Sequence, residues 1–332
     1  MTEMMTQCLL RLVETEHALA DYQSETAPRW CSGCGDNAIL TAMQKLCRDE
    51  NLAPEKTVCV SGIGCSSRLP HYMNSYGFHG VHGRALPLAE GVKLRRPDLD
   101  VFVTTGDGDC CSIGAAHWIH ALRYNMNMTV LLHDNQVYGL TKKQASPTSP
   151  QGLATNTTPG GAKLKPLNPL AITLGVSNVS FVAQAVDWIP DLLYEILHKA
   201  YQHRGLSFIH ILQRCPAFMD HNFDDWVRDP SKMRILCHGN GLRLSPDISR
   251  IYRNQEIHDP SDMARARALA DLDGEIAVGI LYHDPSVPCY DDLASGERPN
   301  TPALIGTVLG EEFDKVTIWP DTGPETARKA AE

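Results

Sequence analysis

The sequence has no apolar run long enough to cross a membrane, and its basic side chains are fewer than its acidic ones. The first absence excludes a membrane-spanning helix of ordinary length. The shortage of basic residues leaves a net charge of −9, which argues against nucleic acid or an anionic membrane surface as a partner. The N-terminus lacks the basic segment and the long apolar segment of a secretion signal. We therefore expect a cytoplasmic protein.

Cysteine is abundant, but its spacing lacks the pattern of a disulfide framework. The count of eleven is odd, and in a long chain without a secretion signal free thiols with a metal or cluster site fit better than disulfides. Cys31 and Cys34 form a C-x-x-C pair. The second close pair of most structural zinc sites is missing, and the strand that precedes a thioredoxin-type dithiol is not predicted. These absences weaken the interpretations of the pair as a zinc site or a redox dithiol. Both interpretations remain open, together with that of an iron–sulfur cluster.

Short β-branched runs alternate with helical patterns over most of the chain. They predict strands at 57–61, 101–105, 128–134, 179–184 and 208–213, and helices at 36–49, 85–96, 112–125 and 187–203. This alternation predicts an α/β fold with a parallel sheet flanked by helices. From about residue 236 the pattern weakens to one helix and one strand. We expect an N-terminal arm (1–29), an α/β domain (30–235) and a C-terminal extension (236–332).

The most informative motif is Gly106-Asp107-Gly108, which follows a predicted strand and precedes a predicted helix. A glycine-rich turn there lets backbone N–H groups approach an anion, and the helix N-terminus favours negative charge. Asn135 follows the next strand, and neighbouring parallel strands end at the same sheet edge. Asp107, Asn135 and the Val137 carbonyl are therefore predicted to hold one Mg²⁺ with a diphosphate. G-D-G followed about thirty residues later by Asn is the signature of thiamine diphosphate enzymes.

Two more cysteines stand at predicted strand ends, where a four-thiolate site could be completed. Cys65 lies in a glycine-rich turn after the strand at 57–61, and Cys215 follows the strand at 208–213. Both belong to the edge where the G-D-G turn is expected. Cys47, Cys59, Cys110 and Cys111 are expected to be packing residues, and no role is assigned to the terminal Cys8, Cys237 and Cys289.

With these residues in hand, the sequence resembles the beta subunit of the 2-oxoacid:ferredoxin oxidoreductases. The resemblance covers roughly residues 28–220 and is carried by five ordered blocks: "WCSGCGDNAIL", "SGIGCSSRLPHY", "VHGRALPLAEGVKLRRPDLDVFVTTGDGD", "LLHDNQVYGLTKKQASPTSP" and "LQRCPAF". It implies a thiamine diphosphate-binding (PP-type) fold with a C-terminal extension. It also implies thiamine diphosphate with Mg²⁺, and one [4Fe–4S] cluster in this subunit.

The resemblance assigns residues to these groups. The cluster ligands it implies are Cys31, Cys34, Cys65 and Cys215, and the Mg²⁺ ligands are Asp107, Asn135 and Val137. The other cofactor contacts that we assign are Gly106, Gly108, Asp109, Gly139 and Arg84. The residues that we assign to substrate and catalysis are Arg68, His82, Leu140 and Lys142. A cation such as Lys142 or Arg68 would suit the second carboxylate of 2-oxoglutarate, although loop lysines are usually solvated.

The family reaction is the oxidative decarboxylation of a 2-oxoacid with coenzyme A, with electrons passed to ferredoxin; some members run it in reverse. The segment "YGLTKKQASPTSP" resembles the corresponding segment of members that use 2-oxoglutarate or several 2-oxoacids more than that of pyruvate-specific members. In thiamine diphosphate enzymes a second domain supplies a glutamate to the cofactor, and the chain outside 30–220 is too sparse for that domain. We therefore expect an alpha subunit in an αβ or (αβ)₂ assembly.

Two rival interpretations each leave one motif unused. A non-oxidative thiamine diphosphate decarboxylase or synthase explains the G-D-G motif and Asn135 but not the four cysteines. A non-catalytic subunit stabilised by a metal explains the cysteines but not the G-D-G motif. A pyruvate-using or broad-range member of the family is the nearer alternative for the substrate.

Overall fold

The computed structural model describes residues 16–239, 242 and 244–295. The strands in this part of the chain are β1 (Thr57–Ser61), β2 (Tyr76–His79), β3 (Asp100–Gly106), β4 (Met128–Asp134), β5 (Val137–Tyr138), β6 (Gln144–Ala145), β7 (Phe181–Val186), β8 (Leu206–Leu212), β9 (Met233–Cys237), β10 (Gln255–Ile257) and β11 (Ile276–His283). Nine of them form one sheet in the order β10-β9-β11-β7-β8-β4-β3-β1-β2, and β5 and β6 pair separately.

Helices cover both faces of this sheet. The α-helices in the described part of the chain are α1 (Asp36–Asp49), α2 (Ala85–Arg95), α3 (Ala115–Tyr124), α4 (Pro169–Thr173), α5 (Pro190–Gln202), α6 (Asp224–Arg228), α7 (Pro246–Ile251), α8 (Met263–Ala270) and α9 (Tyr290–Ser295). Buried side chains of α1 and α5 share one apolar core, and those of α2, α3 and α8 share another. β1, β4, β7 and β8 are buried at every position, as expected for strands covered on both faces.

The sheet contains two sets of strands. The six from β7 to β2 are mutually parallel, whereas β11 pairs antiparallel with β7 and parallel with β9. The prediction of a mainly parallel sheet flanked by helices is confirmed. The three reversed strands were not fully foreseen because β9 and β10 are short, at five and three residues.

The expected domain boundary at 235/236 falls inside β9. The chain from β9 to Asp291 belongs to the same compact unit as the residues before it, because β9, β10 and β11 extend the one sheet. Part of the expected N-terminal arm also packs on this unit: Tyr22 is buried, and its hydroxyl donates to the Leu52 carbonyl at 2.7 Å. Residues 1–15 of that arm, with Cys8, and residues 296–332 of the expected C-terminal extension lie outside the described residues.

Each predicted strand and helix of the α/β region is found, and the ends of most of them are shifted by one to three residues. β1, β4 and α1 have the predicted bounds, and β7 and β8 are displaced by about two residues. The helix predicted at 112–125 is shorter because a π-helical turn, Asp109–Ile113, precedes α3. None of the helices in the described part of the chain is long and apolar enough to cross a membrane.

Candidate active site

The carboxyl ends of four neighbouring strands build the site. β8, β4, β3 and β1 are consecutive in the sheet, and their following loops carry Cys215, Asn135, Asp107 and Cys65 respectively. The last three residues line a cleft of about 120 Å³, together with His82, the glycines of the G-D-G turn and residues 137–141. The site therefore lies at the edge where open parallel sheets bind ligands.

Asp107 is a buried carboxylate that lacks a positive partner among the described residues. Its Oδ2 accepts a hydrogen bond at 2.8 Å from the Thr148 hydroxyl, which also lies 2.8 Å from Asp134 Oδ1. Burial first, and the negative charge of Asp134 second, raise the pKa of Asp107 to about 8. A divalent cation at this carboxylate would remove that penalty, so the surroundings of Asp107 fit a metal site.

Two hydrogen bonds fix the side-chain amide of Asn135. Its Nδ2 donates to Gln213 Oε1 at 3.0 Å, and its Oδ1 accepts from the Val137 amide at 3.2 Å. The amide nitrogen is thus occupied, and a lone pair of Oδ1 is left for a cation. Asp107, Asn135 and Val137 all line the cleft, so the structure brings the three predicted Mg²⁺ ligands together.

The glycines of this edge are required by close contacts. Tyr138 donates its hydroxyl hydrogen bond to the Gly108 carbonyl at 3.0 Å, and a Cβ on Gly108 would lie 2.1 Å from the Tyr138 ring. A Cβ on Gly139 would lie 3.3 Å from Cys65 Sγ. Any side chain larger than hydrogen at 108 would displace Tyr138 from the turn.

Asp109 fastens three segments around the cleft. Its carboxylate accepts hydrogen bonds from the amides of Ile63 (3.2 Å) and Gly83 (2.6 Å) and from the Thr105 hydroxyl (2.7 Å), and it contacts His82 Nδ1. These bonds tie the loop after β1 and the turn before α2 to β3. The contact also orients the His82 ring, whose side chain is 38% exposed at the cleft. The carboxylate of Asp109 is thus occupied by the protein itself, and its predicted contact with a cofactor stays a prediction.

The other predicted substrate and cofactor residues lie at different distances from the cleft. Arg68 lines an adjoining cleft with Arg29, His71 and His79, and Leu140 lines both clefts. Arg84 and Lys142 are not among the lining residues of either cleft. The Arg84 guanidinium donates to the carbonyls of Gly83 (3.2 Å) and Ile113 (3.3 Å), and Lys142 lies on an exposed turn with φ +71°. Their roles stay predictions.

The four predicted cluster cysteines lie in loops beside this cleft. In addition to burial, a negative charge on Cys215 would raise the pKa values of Cys34 and Cys65, and one on Cys31 would raise those of Cys65 and Cys215. The Gly35 amide donates to the Arg214 carbonyl at 3.1 Å, which joins the C-x-x-C loop to the loop after β8. Trp30 Nε1 donates to the Cys65 carbonyl at 2.7 Å and joins the same loop to the loop after β1.

Burial gives these thiols a chemical character that suits a cluster. It is the main cause that raises the pKa values of Cys34, Cys65 and Cys215, and the pKa of Cys65 reaches about 12. Thiolates there need a positively charged partner such as iron. Among the described residues, no three His, Cys, Asp or Glu side chains converge closely enough to hold a single metal ion. The assignment of the quartet Cys31, Cys34, Cys65 and Cys215 to a metal centre stays a prediction.

Four further cysteines are part of the packing. Cys47 and Cys59 lie in the core shared by α1 and α5, and Cys110 and Cys111 lie in the core shared by α2, α3 and α8. All four are buried. This location agrees with the interpretation of these residues as packing residues.

Gln213 and Thr148 were not singled out in the sequence, whereas His133 was expected beside a cofactor loop as a hydrogen-bond partner of substrate or cofactor. His133 Nδ1 lies 2.7 Å from Asp36 Oδ1 in a buried pair, and its Nε2 is buried without a partner while the ring lines the cleft. Gln213 contacts both Asn135 and Cys34. Thr148 lies in the long loop and reaches Asp107 across 41 positions of sequence. The position of His133 and Gln213 at strand ends was a usable signal, whereas Thr148 gave none.

Comparison with known proteins assigns the fold and its relatives. Residues 62–211 match the model of the C-terminal TPP-binding domain of thiamine pyrophosphate enzymes, and residues 248–298 match the C-terminal model of the pyruvate ferredoxin oxidoreductase beta subunit. The 2-oxoglutarate oxidoreductase subunit KorB of Mycobacterium tuberculosis is 41% identical over 302 residues, which cover 83% of this chain and 80% of that protein. The beta subunit of 2-oxoacid:ferredoxin oxidoreductase 1 of Aeropyrum pernix is 37% identical over 316 residues, covering 94% and 95%.

A solved structure extends the comparison to three dimensions. The 2-oxoglutarate:ferredoxin oxidoreductase from Magnetococcus marinus, with 2-oxoglutarate, coenzyme A and succinyl-CoA bound, superposes with a TM-score of 0.74 at 36% identity. The match covers 88% of this chain and 96% of that chain.

Proposed function

This chain belongs to the family of 2-oxoacid:ferredoxin oxidoreductase beta subunits, and we propose that, with an alpha subunit, it converts 2-oxoglutarate and coenzyme A to succinyl-CoA and CO₂ and reduces ferredoxin. The observation that carries the proposal is the contact between two sites. Cys65 lines the cleft that contains Asp107 and Asn135, and it also belongs to the cysteine quartet. The decarboxylation site and the electron acceptor would therefore be adjacent, with Cys65 common to both.

The thiamine diphosphate-binding fold fits its cofactor at this cleft. Asp107, Asn135 and the Val137 carbonyl would hold Mg²⁺, and the backbone of Gly106 and Gly108 would approach the diphosphate. Thiamine diphosphate supplies the carbanion chemistry of 2-oxoacid decarboxylation when it is bound. The chain would bind and orient it, and His82, fixed by Asp109, lines the same cleft.

The quartet Cys31, Cys34, Cys65 and Cys215 would hold a [4Fe–4S] cluster as thiolates. Cys31 is exposed, so the cluster edge beside it is open to ferredoxin. A cytoplasmic location suits these reduced cysteines.

The alpha subunit is proposed because the cleft is small. Pockets that enclose a whole organic ligand have volumes of about 300–1,000 Å³, whereas this cleft has about 120 Å³. It would bury only the diphosphate end of the cofactor. The alpha subunit would cover the remainder in an αβ or (αβ)₂ assembly.

Charge supports 2-oxoglutarate as the substrate. Arg68, Arg29, His71 and His79 line the adjoining cleft in a chain whose net charge is −9. A cationic pocket beside the cofactor would bind the second carboxylate of 2-oxoglutarate, which pyruvate does not have. Leu140, which lines both clefts, would contact the carbon chain between the two ends.

Steady-state rates of the anaerobic αβ complex with 2-oxoglutarate, 2-oxobutyrate and pyruvate test the proposal. We expect kcat/KM to be highest for 2-oxoglutarate. The Arg68→Met variant should lower kcat/KM for 2-oxoglutarate by about 10- to 100-fold, the loss of a charged hydrogen bond, and should leave that for pyruvate within a few-fold. Arg96→Met is the matched control, since the exposed Arg96 pairs with Asp98 on the surface. Equal losses for both substrates, or full turnover by this chain alone, would contradict the proposal.

A further inference from the structure

We infer that the side-chain amide of Gln213 connects the cysteine quartet to the cation site, as a positioning residue that orients Asn135 and donates a hydrogen bond to Cys34. The inference rests on the proposed function. According to this inference, one side chain influences two properties: the affinity for thiamine diphosphate with Mg²⁺ and the reduction potential of the cluster.

The sheet register places Gln213 beside Asn135. β4 and β8 are parallel neighbours in which Asp134 pairs with Leu212, and the Gln213 amide continues this ladder by donating to the Asp134 carbonyl at 2.9 Å. Gln213 and Asn135 are thus the next residues on adjacent strands. The Gln213 side chain is 1% exposed, so water cannot replace its contacts.

Both ends of the Gln213 amide have partners that fix its orientation. Nε2 donates to Cys34 Sγ at 3.3 Å and to the Arg214 carbonyl, and Oε1 accepts from Asn135 Nδ2 at 3.0 Å. A carbonyl oxygen only accepts hydrogen bonds and an amide NH₂ only donates them, so the flipped amide would lose these bonds. The same contact occupies Asn135 Nδ2 and leaves a lone pair of Oδ1 for a cation.

The bond to Cys34 matters because a carboxylate lies close to that sulfur: Asp36 Oδ2 is 3.5 Å from Cys34 Sγ. A carboxylate has no hydrogen to give to a cluster thiolate. The side-chain N–H of Gln213 therefore joins the backbone N–H of Asp36 as a donor that stabilises the charge on the sulfur. Hydrogen bonds to ligand sulfurs favour the reduced, more negative cluster and raise its reduction potential.

Two substitutions distinguish the effect of the hydrogen bond to Asn135 from that of the hydrogen bond to Cys34. Gln213→Met has a similar length and removes both bonds. Gln213→Glu keeps an oxygen that accepts from Asn135 but removes the N–H to Cys34. Gln44→Met is the matched control, because Gln44 is a buried glutamine of α1 that donates to the Tyr72 carbonyl.

The experiment uses the complex with the alpha subunit and two measurements other than turnover. One is the midpoint potential of the cluster in an anaerobic titration followed by electron paramagnetic resonance, and the other is the dissociation constant of thiamine diphosphate at saturating Mg²⁺. Gln213→Met should shift the potential to more negative values and weaken cofactor binding about 10-fold or more, as outer partners of metal ligands do. Gln213→Glu should show the negative shift with binding no weaker than wild type, and Gln44→Met should show neither effect.

The outcomes distinguish the inference from the function on which it rests. A wild-type complex with no cluster signal or no cofactor binding would overturn the proposed function together with the inference. A normal wild type with an unchanged potential in both Gln213 variants would overturn the inference alone. So would a Gln213→Met variant with wild-type cofactor affinity. If Gln213→Met does not assemble, the potential of Gln213→Glu decides.

Discussion

The Asp107→Asn variant should bind thiamine diphosphate with Mg²⁺ about 100-fold more weakly or worse, while its fold becomes no less stable. Even the outer partners of metal ligands change metal affinity by about 10- to 100-fold, and Asp107 is proposed as a direct ligand. Asparagine keeps an oxygen that can accept from Thr148 but loses the charge that a hard cation prefers. Isothermal titration of the αβ complex measures the loss.

The expected change in the folding stability of this variant is opposite in direction to the change in its cofactor affinity. The pKa of Asp107 is raised to about 8 by burial and by Asp134, whereas an unfolded Asp titrates near ~3.9. Because the folded state holds the proton more tightly, the charge of Asp107 destabilises the cofactor-free fold, and this cost grows as the pH rises above ~3.9. The neutral Asn removes the cost, so the melting temperature of cofactor-free Asp107→Asn should equal or exceed that of the wild type.

Thr148→Val is a second test of this site, and Asp98→Asn is the control. Thr148→Val removes the hydroxyl that Asp107 accepts from and should weaken binding by about 10-fold, within the range of an outer partner. Asp98, exposed and paired with Arg96, should have no effect on binding. Wild-type cofactor affinity in Asp107→Asn would refute the assignment of Asp107 as a metal ligand.

Replacing Cys34 with Ser should remove the cluster and abolish ferredoxin reduction, while thiamine diphosphate binding persists. Cys34 is buried and interacts with Cys215, and a serine hydroxyl is a poor substitute for a thiolate ligand of iron. The proposed cofactor ligands Asp107 and Asn135 lie on other loops, so the affinity for the cofactor should fall only to the extent that the Gln213 contact is lost. Iron and sulfide analysis, visible absorption and ferredoxin-reduction assays measure the three parts of this prediction.

A second cysteine substitution controls for the chemistry of the mutation. Cys59→Ala removes a fully buried thiol from the core shared by α1 and α5 and should leave the iron content and the ferredoxin rate unchanged. Normal ferredoxin reduction by Cys34→Ser would show that Cys34 is not a ligand of the electron acceptor. The same loss in both variants would point to general destabilisation instead.

Much of the site could be predicted because parallel strands end at one edge. The apolar runs that become β1, β3, β4 and β8 are distinct in the sequence. The proximity of the residues that follow these strands can be predicted without knowing any side-chain contact. Asp107, Asn135, Cys65 and Cys215 were found in this way. Cys31 and Cys34 were found from their spacing, and the sheet then explains why their loop reaches Cys65 and Cys215.

The remainder depends on contacts between segments far apart in the chain. Thr148 reaches Asp107 from an irregular loop, and Asp36 meets His133 across 97 positions. A polar residue at such a position gives no periodic signal. Arg84 lies within the block "VHGRALPL", which was assigned to the cofactor by resemblance, yet its guanidinium donates to two carbonyl groups. The reversed strands β9 and β10 are too short to stand out from loops, so the expected boundary fell within β9.

The most direct test of the account is the anaerobic visible spectrum of the αβ complex before and after addition of 2-oxoglutarate and coenzyme A, without ferredoxin. The account predicts a broad iron–sulfur absorption band that bleaches when both compounds are present, because electrons from decarboxylation reach the cluster beside the cleft. A colourless complex that contains zinc, or a band that 2-oxoglutarate and coenzyme A leave unchanged, would contradict it.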